Sequence, residues 1–130
     1  MIFFATKYFP CADRLLPIKP NARRLASFVM EQEIPTAIHM NRGNIYDPLL
    51  LALEMPEVDT VFLLSEGNPT EGRFVEQDRF IRHLQRENRF AKTRVEALFI
   101  GNAASARGYM RAIAEATGGR FYDIARLKGW

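Results

Sequence analysis

At 130 residues, with 48% apolar and 25% charged side chains, the chain fits a single globular domain with a core of its own. Its one cysteine, Cys11, excludes an internal disulfide and a multi-cysteine zinc site. A formal charge of +3 is too slight by itself to mark a nucleic-acid binder, and no apolar run reaches the ~20 residues of a membrane-spanning helix.

The chain begins MIFFATKYF, with no basic stretch ahead of the apolar one and no small-residue cleavage site. No signal peptide is expected, and a cytoplasmic location is favoured. Ile2–Thr6 reads as a short apolar strand, and Asp13–Ile18 as a more polar extended piece between prolines. Pro20 or Asn21 opens a helix to about Glu33, with Leu25, Phe28, Val29 and Gln32 at helical spacing. Pro35 ends it, and a loop from His39 to Asn44 follows. Asp47-Pro48 reads as N-cap and first helical residue of a short helix ending at Glu54. Thr60–Leu64 is the clearest strand. Then come a helix from about Arg73 to Arg89, a strand Val95–Ile100, and a helix Ser105–Thr117 closed by Gly118-Gly119. Arg120–Asp123 is a short last strand. This alternation predicts an α/β fold, a mostly parallel sheet with helices on both faces. In such sheets ligands gather beyond the carboxyl ends of the strands, where Glu66 and Gly101-Asn102 fall.

Nucleophilic catalysis finds little support. Ser65 lies in Leu-Ser-Glu-Gly, not in a Gly-x-Ser-x-Gly elbow. Of the two histidines, His83 falls inside the long helix, whereas His39 sits in a loop near the same sheet end as Glu66. A small hydrolase using His39 and Glu66 is therefore one reading to test. No Gly-rich phosphate loop is present, and the turn after Gly101 is more simply a strand-to-helix connection. Arg79, Arg82, Arg86 and Arg89 share one face of the long helix, opposite Phe80, Ile81 and Leu84. Such a strip is ordinarily a solvated face. With no aromatic residue interleaved in it, it does not favour nucleic acid.

Three blocks carry a resemblance. They are Asn44-Ile-Tyr-Asp-Pro-Leu; Val58-Asp-Thr-Val-Phe-Leu-Leu-Ser-Glu-Gly-Asn-Pro-Thr-Glu-Gly; and Ala97-Leu-Phe-Ile-Gly with the later Tyr109-Met-Arg-Ala-Ile-Ala-Glu-Ala-Thr-Gly-Gly-Arg-Phe. Together they resemble the von Willebrand factor A-type domain of the bacterial kind, from about Ile2 to Ile124. The resemblance implies a three-layer, Rossmann-like fold and a metal-ion-dependent adhesion site at the sheet's carboxyl end. In that family the ligands come from an Asp-x-Ser-x-Ser motif, a Thr and an Asp, oxygen donors suited to Mg²⁺.

This chain departs from the pattern at all three places. None of Asp13, Asp47, Asp59, Asp78 and Asp123 opens an Asp-x-Ser-x-Ser motif. The Thr position is Gly43, and the Asp position is Glu66 with Ser65 before it. The resemblance further implies that the family's first strand and helix, which would precede Ile2, are missing, so that the fold is N-terminally truncated. That loss would bring Ile2–Thr6 and Thr60–Leu64 together or leave their edges unpaired, a gap that a second copy of the chain could cover. The expectation is a non-enzymatic protein-interaction module with a degenerate metal site and no cofactor. Its partner surface would comprise Gly43, Asn44, Glu66, Asn68 and Asn102. The alternative is a domain that binds Mg²⁺ or Mn²⁺ through Glu66 and Ser65, with the remaining ligands supplied from upstream sequence or by a partner.

Overall fold

The computed structural model of the chain describes residues 1–5, 7–31 and 43–126. These described residues form a mixed α/β structure with four α-helices and a three-stranded parallel sheet. Among the described residues no helix is long and apolar enough to cross a membrane.

The N-terminal segment differs from the expected single strand. Ile2–Phe4 (β1) and Tyr8–Pro10 (β2) form an antiparallel hairpin of their own, with Phe4 opposite Tyr8 and Ile2 opposite Pro10. β1 does not join the parallel sheet. A partner a few residues away closes a far smaller loop than one some 50 residues on, and so costs less chain entropy. Residues 13–17, expected to be extended, are irregular, and Ile18 already belongs to a helix, Ile18–Glu31 (α1). Pro20 is tolerated there because first-turn N–H groups have no partner within the helix. Arg24 donates to the Cys11 carbonyl at 3.0 Å, tying α1 to the end of the hairpin.

The second half follows a regular order: Tyr46–Glu54 (α2), Thr60–Ser65 (β3), Gln77–Asn88 (α3), Arg94–Phe99 (β4), Ala104–Ala116 (α4) and Phe121–Asp123 (β5). A single 3₁₀ turn, Ile124–Arg126, follows β5. The sheet order is β3-β4-β5, all parallel. α3 begins four residues later than Arg73. Glu76 caps it, its carboxylate accepting from the Asp78 and Arg79 amides at 2.9 and 3.1 Å. α2 begins at Tyr46, with Ile45 and not Asp47 at its N-cap position. From the residue before it, Asn44 Oδ1 accepts from the first-turn Asp47 amide at 3.1 Å and so acts as the cap. At the far end of α4, the Gly119 amide donates to the Ala114 carbonyl at 2.9 Å. Thr117 Oγ1 accepts from the Val95 amide at 3.1 Å, pinning the helix end to the start of β4.

Strand alternation shows where the core lies. Val95, Ala97 and Phe99 of β4 and Leu63 of β3 are buried and pack with α2, α3 and α4 in one cluster. Register puts Phe62, Leu64, Glu96, Leu98 and Tyr122 on the opposite face. There Phe62 is 73% and Leu64 54% exposed. The expected helices on both faces are therefore not what the described residues form: α2, α3 and α4 all cover one face. β3 is apolar on both sides, a pattern that ordinarily marks a strand buried on both faces.

Tyr109 ties the helical layer to the segment before α3, its hydroxyl donating to the Val75 carbonyl at 3.0 Å. Burial pushes this phenol far above its ordinary 10.0, with Glu76 adding to the effect. Tyr46 is raised as well, by burial first and then by Glu87. In the unfolded chain both phenols ionise near their ordinary value, while in the folded chain they stay protonated. Their contribution to stability is complete below that pH and is lost as pH rises through and above it. Urea unfolding from about pH 8.5 to 11 should show falling stability at the alkaline end. Tyr109→Phe should flatten that slope without abolishing it, because Tyr46 remains.

Candidate functional site

The carboxyl end of the parallel sheet is built from three loops that bond to one another. β3 ends at Ser65, whose hydroxyl lies 3.5 Å from both the amide and the carbonyl of Gly67 and closes a tight turn. The Ile100 amide donates to the Ser65 carbonyl at 3.1 Å, continuing the β3–β4 ladder one residue past β4. Gly101 then presses against the Glu66 backbone carbonyl so closely that a Cβ there would overlap it, so only glycine fits without moving the loop. Asn68 Nδ2 donates to Ser105 Oγ at 3.1 Å, joining this loop to the first turn of α4.

The third loop enters through Gly43. Its carbonyl accepts from the Thr70 and Glu71 amides at 2.8 and 3.2 Å, and its amide donates to Thr70 Oγ1 at 2.9 Å. Asn44 pairs with Glu71 as an isolated parallel bridge. The three loops thus carry Gly43, Asn44, Ser65, Glu66, Asn68 and Asn102 at this end of the sheet, but the structure treats them differently. Glu66, Asn68 and Asn102 are exposed, whereas Gly43 and Ser65 are half-buried. Asn44 is only 6% exposed, its Oδ1 capping α2 and its Nδ2 donating to Asp47 Oδ2 at 2.6 Å. Its side chain is thus committed to the fold and is not offered to a partner.

The sequence reading passed over an ion pair at the end of β5. Arg107, in the first turn of α4, donates from Nε to Asp123 Oδ2 at 2.7 Å. The two side chains are only 17% and 14% exposed. Arg126 adds a second guanidinium at 3.3 Å, and Arg107 also lies over the Phe99 ring, 5.2 Å from its centroid. Asp123 Oδ1 is buried without a hydrogen-bond partner among the described residues. The available signal was a carboxylate at a strand's carboxyl end with an arginine in the preceding helix.

These donors do not fit Mg²⁺ or Mn²⁺. Among the described residues no three His, Cys, Asp or Glu side chains gather as a metal cluster. Ser65 points its hydroxyl into its own turn, Asn44 is spent on a cap, and the Asp123 carboxylate is already compensated by guanidinium groups. A hard cation needs about six oxygen ligands, many of them anionic, and of Gly43, Ser65 and Glu66, the positions where the resemblance places ligands, only Glu66 carries a carboxylate.

Among the described residues no histidine bonds to Ser65. His39 lies outside the described residues. His83 stacks on Phe74, with ring centroids 3.8 Å apart. Its surroundings lower its pKa, partial desolvation first and then the charge of Arg86. Arg79, Arg82 and Arg86 on the same helix and Arg89 at its C-cap are all exposed. Arg86 pairs with Glu87 at 2.9 Å, and Arg89 lies over the ring of Phe90, which stands exposed at the strip's end. No protein-family model matches the chain, and no curated protein or solved structure matches it.

Proposed function

We propose that the chain is a non-enzymatic protein-interaction module of the von Willebrand factor A type, with a degenerate metal-ion-dependent adhesion site. The observation that carries this reading is the cross-bonded loop cluster at the sheet's carboxyl end. It presents Glu66, Asn68 and Asn102 at the exposed surface of a braced platform, where among the described residues no histidine bonds to Ser65. Groups held by a rigid scaffold lose little entropy when a partner binds. Contacts made there are direct hydrogen bonds and packing, and no metal bridges them.

A titration with Mg²⁺ and Mn²⁺ in a calorimeter separates this reading from a metal-dependent adhesion domain. The expected result is no saturable heat with either ion up to about 1 mM, a limit that excludes any site with more than roughly 4 kcal/mol of binding free energy. Saturable binding that Glu66→Ala abolishes would replace this reading with the metal-dependent one.

A further inference from the structure

We infer that the free edge of β3 is a strand-addition site for an extended, uncharged peptide segment of a partner protein, flanked by basic residues. The inference stands apart from the loop platform and does not rest on it. β3 lies at the edge of the sheet, paired only with β4 among the described residues. The Arg94 amide bonds to the Asp59 carbonyl and the Ile100 amide to the Ser65 carbonyl. Backbone groups in a parallel ladder alternate in direction, so residues 59, 61, 63 and 65 serve β4 and Thr60, Phe62 and Leu64 point outward.

Natural edges of this kind are blunted by charges, prolines or bulges. Thr60–Ser65 has no charged residue and no proline, and its register with β4 runs without a bulge. Beside the edge runs an apolar groove of about 200 Å³, with Ile2 and Phe4 of β1 opposite β3 and Pro48 and Ala52 contributed by α2. None of the described side chains lining it is charged. A charged side chain placed there would lose its hydration without compensation.

Two features select the occupant. Ile2 and Phe4 of the β1 hairpin line the same groove as β3, so the occupant is a segment narrow enough to lie between them, as one extended strand is. The ends of the edge are acidic: Glu57 and Asp59 precede it and Glu66 follows it, all three exposed. An occupant with an apolar centre and Lys or Arg at its ends matches both. In strand addition the main chain supplies affinity and alternate side chains supply selectivity. Here one set of side chains meets α2, and the other continues the open face of Phe62 and Leu64.

The probe is the fluorescein-labelled peptide Lys-Lys-Val-Thr-Ile-Thr-Val-Lys-Lys, titrated by fluorescence anisotropy, with amide hydrogen exchange read by NMR. The expected result is saturable binding that slows exchange of the Phe62 and Leu64 amides at least ~10-fold. Methylating alternate peptide amides should weaken binding ~10-fold or more, since the lost donors belong to the ladder. Exchanging the flanking Lys for Glu should weaken it several-fold. Ala52→Arg, which fills the groove, and Phe62→Asp, on an exposed position, should each reduce binding while leaving the circular dichroism spectrum unchanged.

The proposal is overturned by no saturable binding below about 1 mM, or by binding that leaves those two amides unprotected. It is equally overturned if the amides are already slow without peptide. Sedimentation would then say whether a second copy or the chain itself covers the edge.

Discussion

Phe80→Ala is expected to destabilise the protein by about 3–5 kcal/mol, the range for deleting a large aromatic from a packed core. Phe80 is fully buried and meets the rings of Tyr46 and Tyr109 edge-on, at 5.1 and 5.3 Å. Those partners belong to α2 and α4, so one side chain of α3 joins all three helices over the sheet. Tyr46 in turn meets Phe74 edge-on at 4.8 Å. Each such pair adds about 0.5–1.5 kcal/mol beyond burial of area. Against a total stability of about 5–15 kcal/mol, the loss is large enough to leave a visible unfolded population. A calorimetric scan should show a fall in melting temperature of roughly 10–20 °C. Phe80→Leu, which keeps most of the volume, should cost no more than about half as much. A fall of under about 1 kcal/mol for Phe80→Ala would mean that α3 is not anchored through this ring.

That aromatic cluster was legible in part. The spacing of Phe80, Ile81 and Leu84 marked the buried face of the long helix, and Phe80 and Leu84 are indeed buried. The β4 and α4 boundaries lie within one residue of expectation because periodicity and the Gly118-Gly119 stop both mark them. The start of α3 was missed because its cap is Glu76, and glutamate is not among the side chains that ordinarily announce a helix. The β1–β2 hairpin was missed because the residues between Phe4 and Tyr8 include no Gly, Asn or Asp to signal a turn.

Helices on both faces were inferred from the alternation of strands and helices, and the two-sided apolar character of β3 agrees with that pattern. Hydrophobicity says that a face is costly to leave in water; it does not say which segment covers it, or whether anything in the chain does. Asn44 illustrates the same limit at the site. An Asn beside a loop of candidate ligands reads equally as donor or cap, and only its contacts with Asp47 decide for the cap.

The sheet's carboxyl end is where these two kinds of residue meet. Gly101 shapes the platform through its backbone and Thr70 through a hydroxyl that accepts from the Gly43 amide, structural contacts that a search for reactive side chains does not single out. Glu66 was legible from its place past a buried strand, and its exposure leaves it available. The strongest charge pair at this end, by contrast, joins residues 16 apart, one on a helix and one on a strand. No spacing rule connects such positions. Only the parallel crossover from β4 through α4 to β5 brings them together.

Asp123→Ala should therefore have the second large effect, about 3 kcal/mol or more. It leaves the Arg107 guanidinium nearly buried with no carboxylate to compensate it, and breaking a buried pair from one side costs about 3–5 kcal/mol. Arg107→Ala is expected to cost less. Arg126, 72% exposed on its own side chain, still reaches Asp123 and keeps the carboxylate compensated. The double change Arg107→Met with Asp123→Leu separates the net worth of the pair from the penalty of orphaning a charge. If apolar packing against Phe99 replaces the pair, the double variant should recover most of the loss. Urea unfolding at low and at 0.5 M salt measures all three. The loss for Asp123→Ala should barely change with salt, because the pair is screened by protein rather than by solvent ions. A loss below about 1 kcal/mol, or one that disappears at high salt, would place this pair with ordinary surface salt bridges.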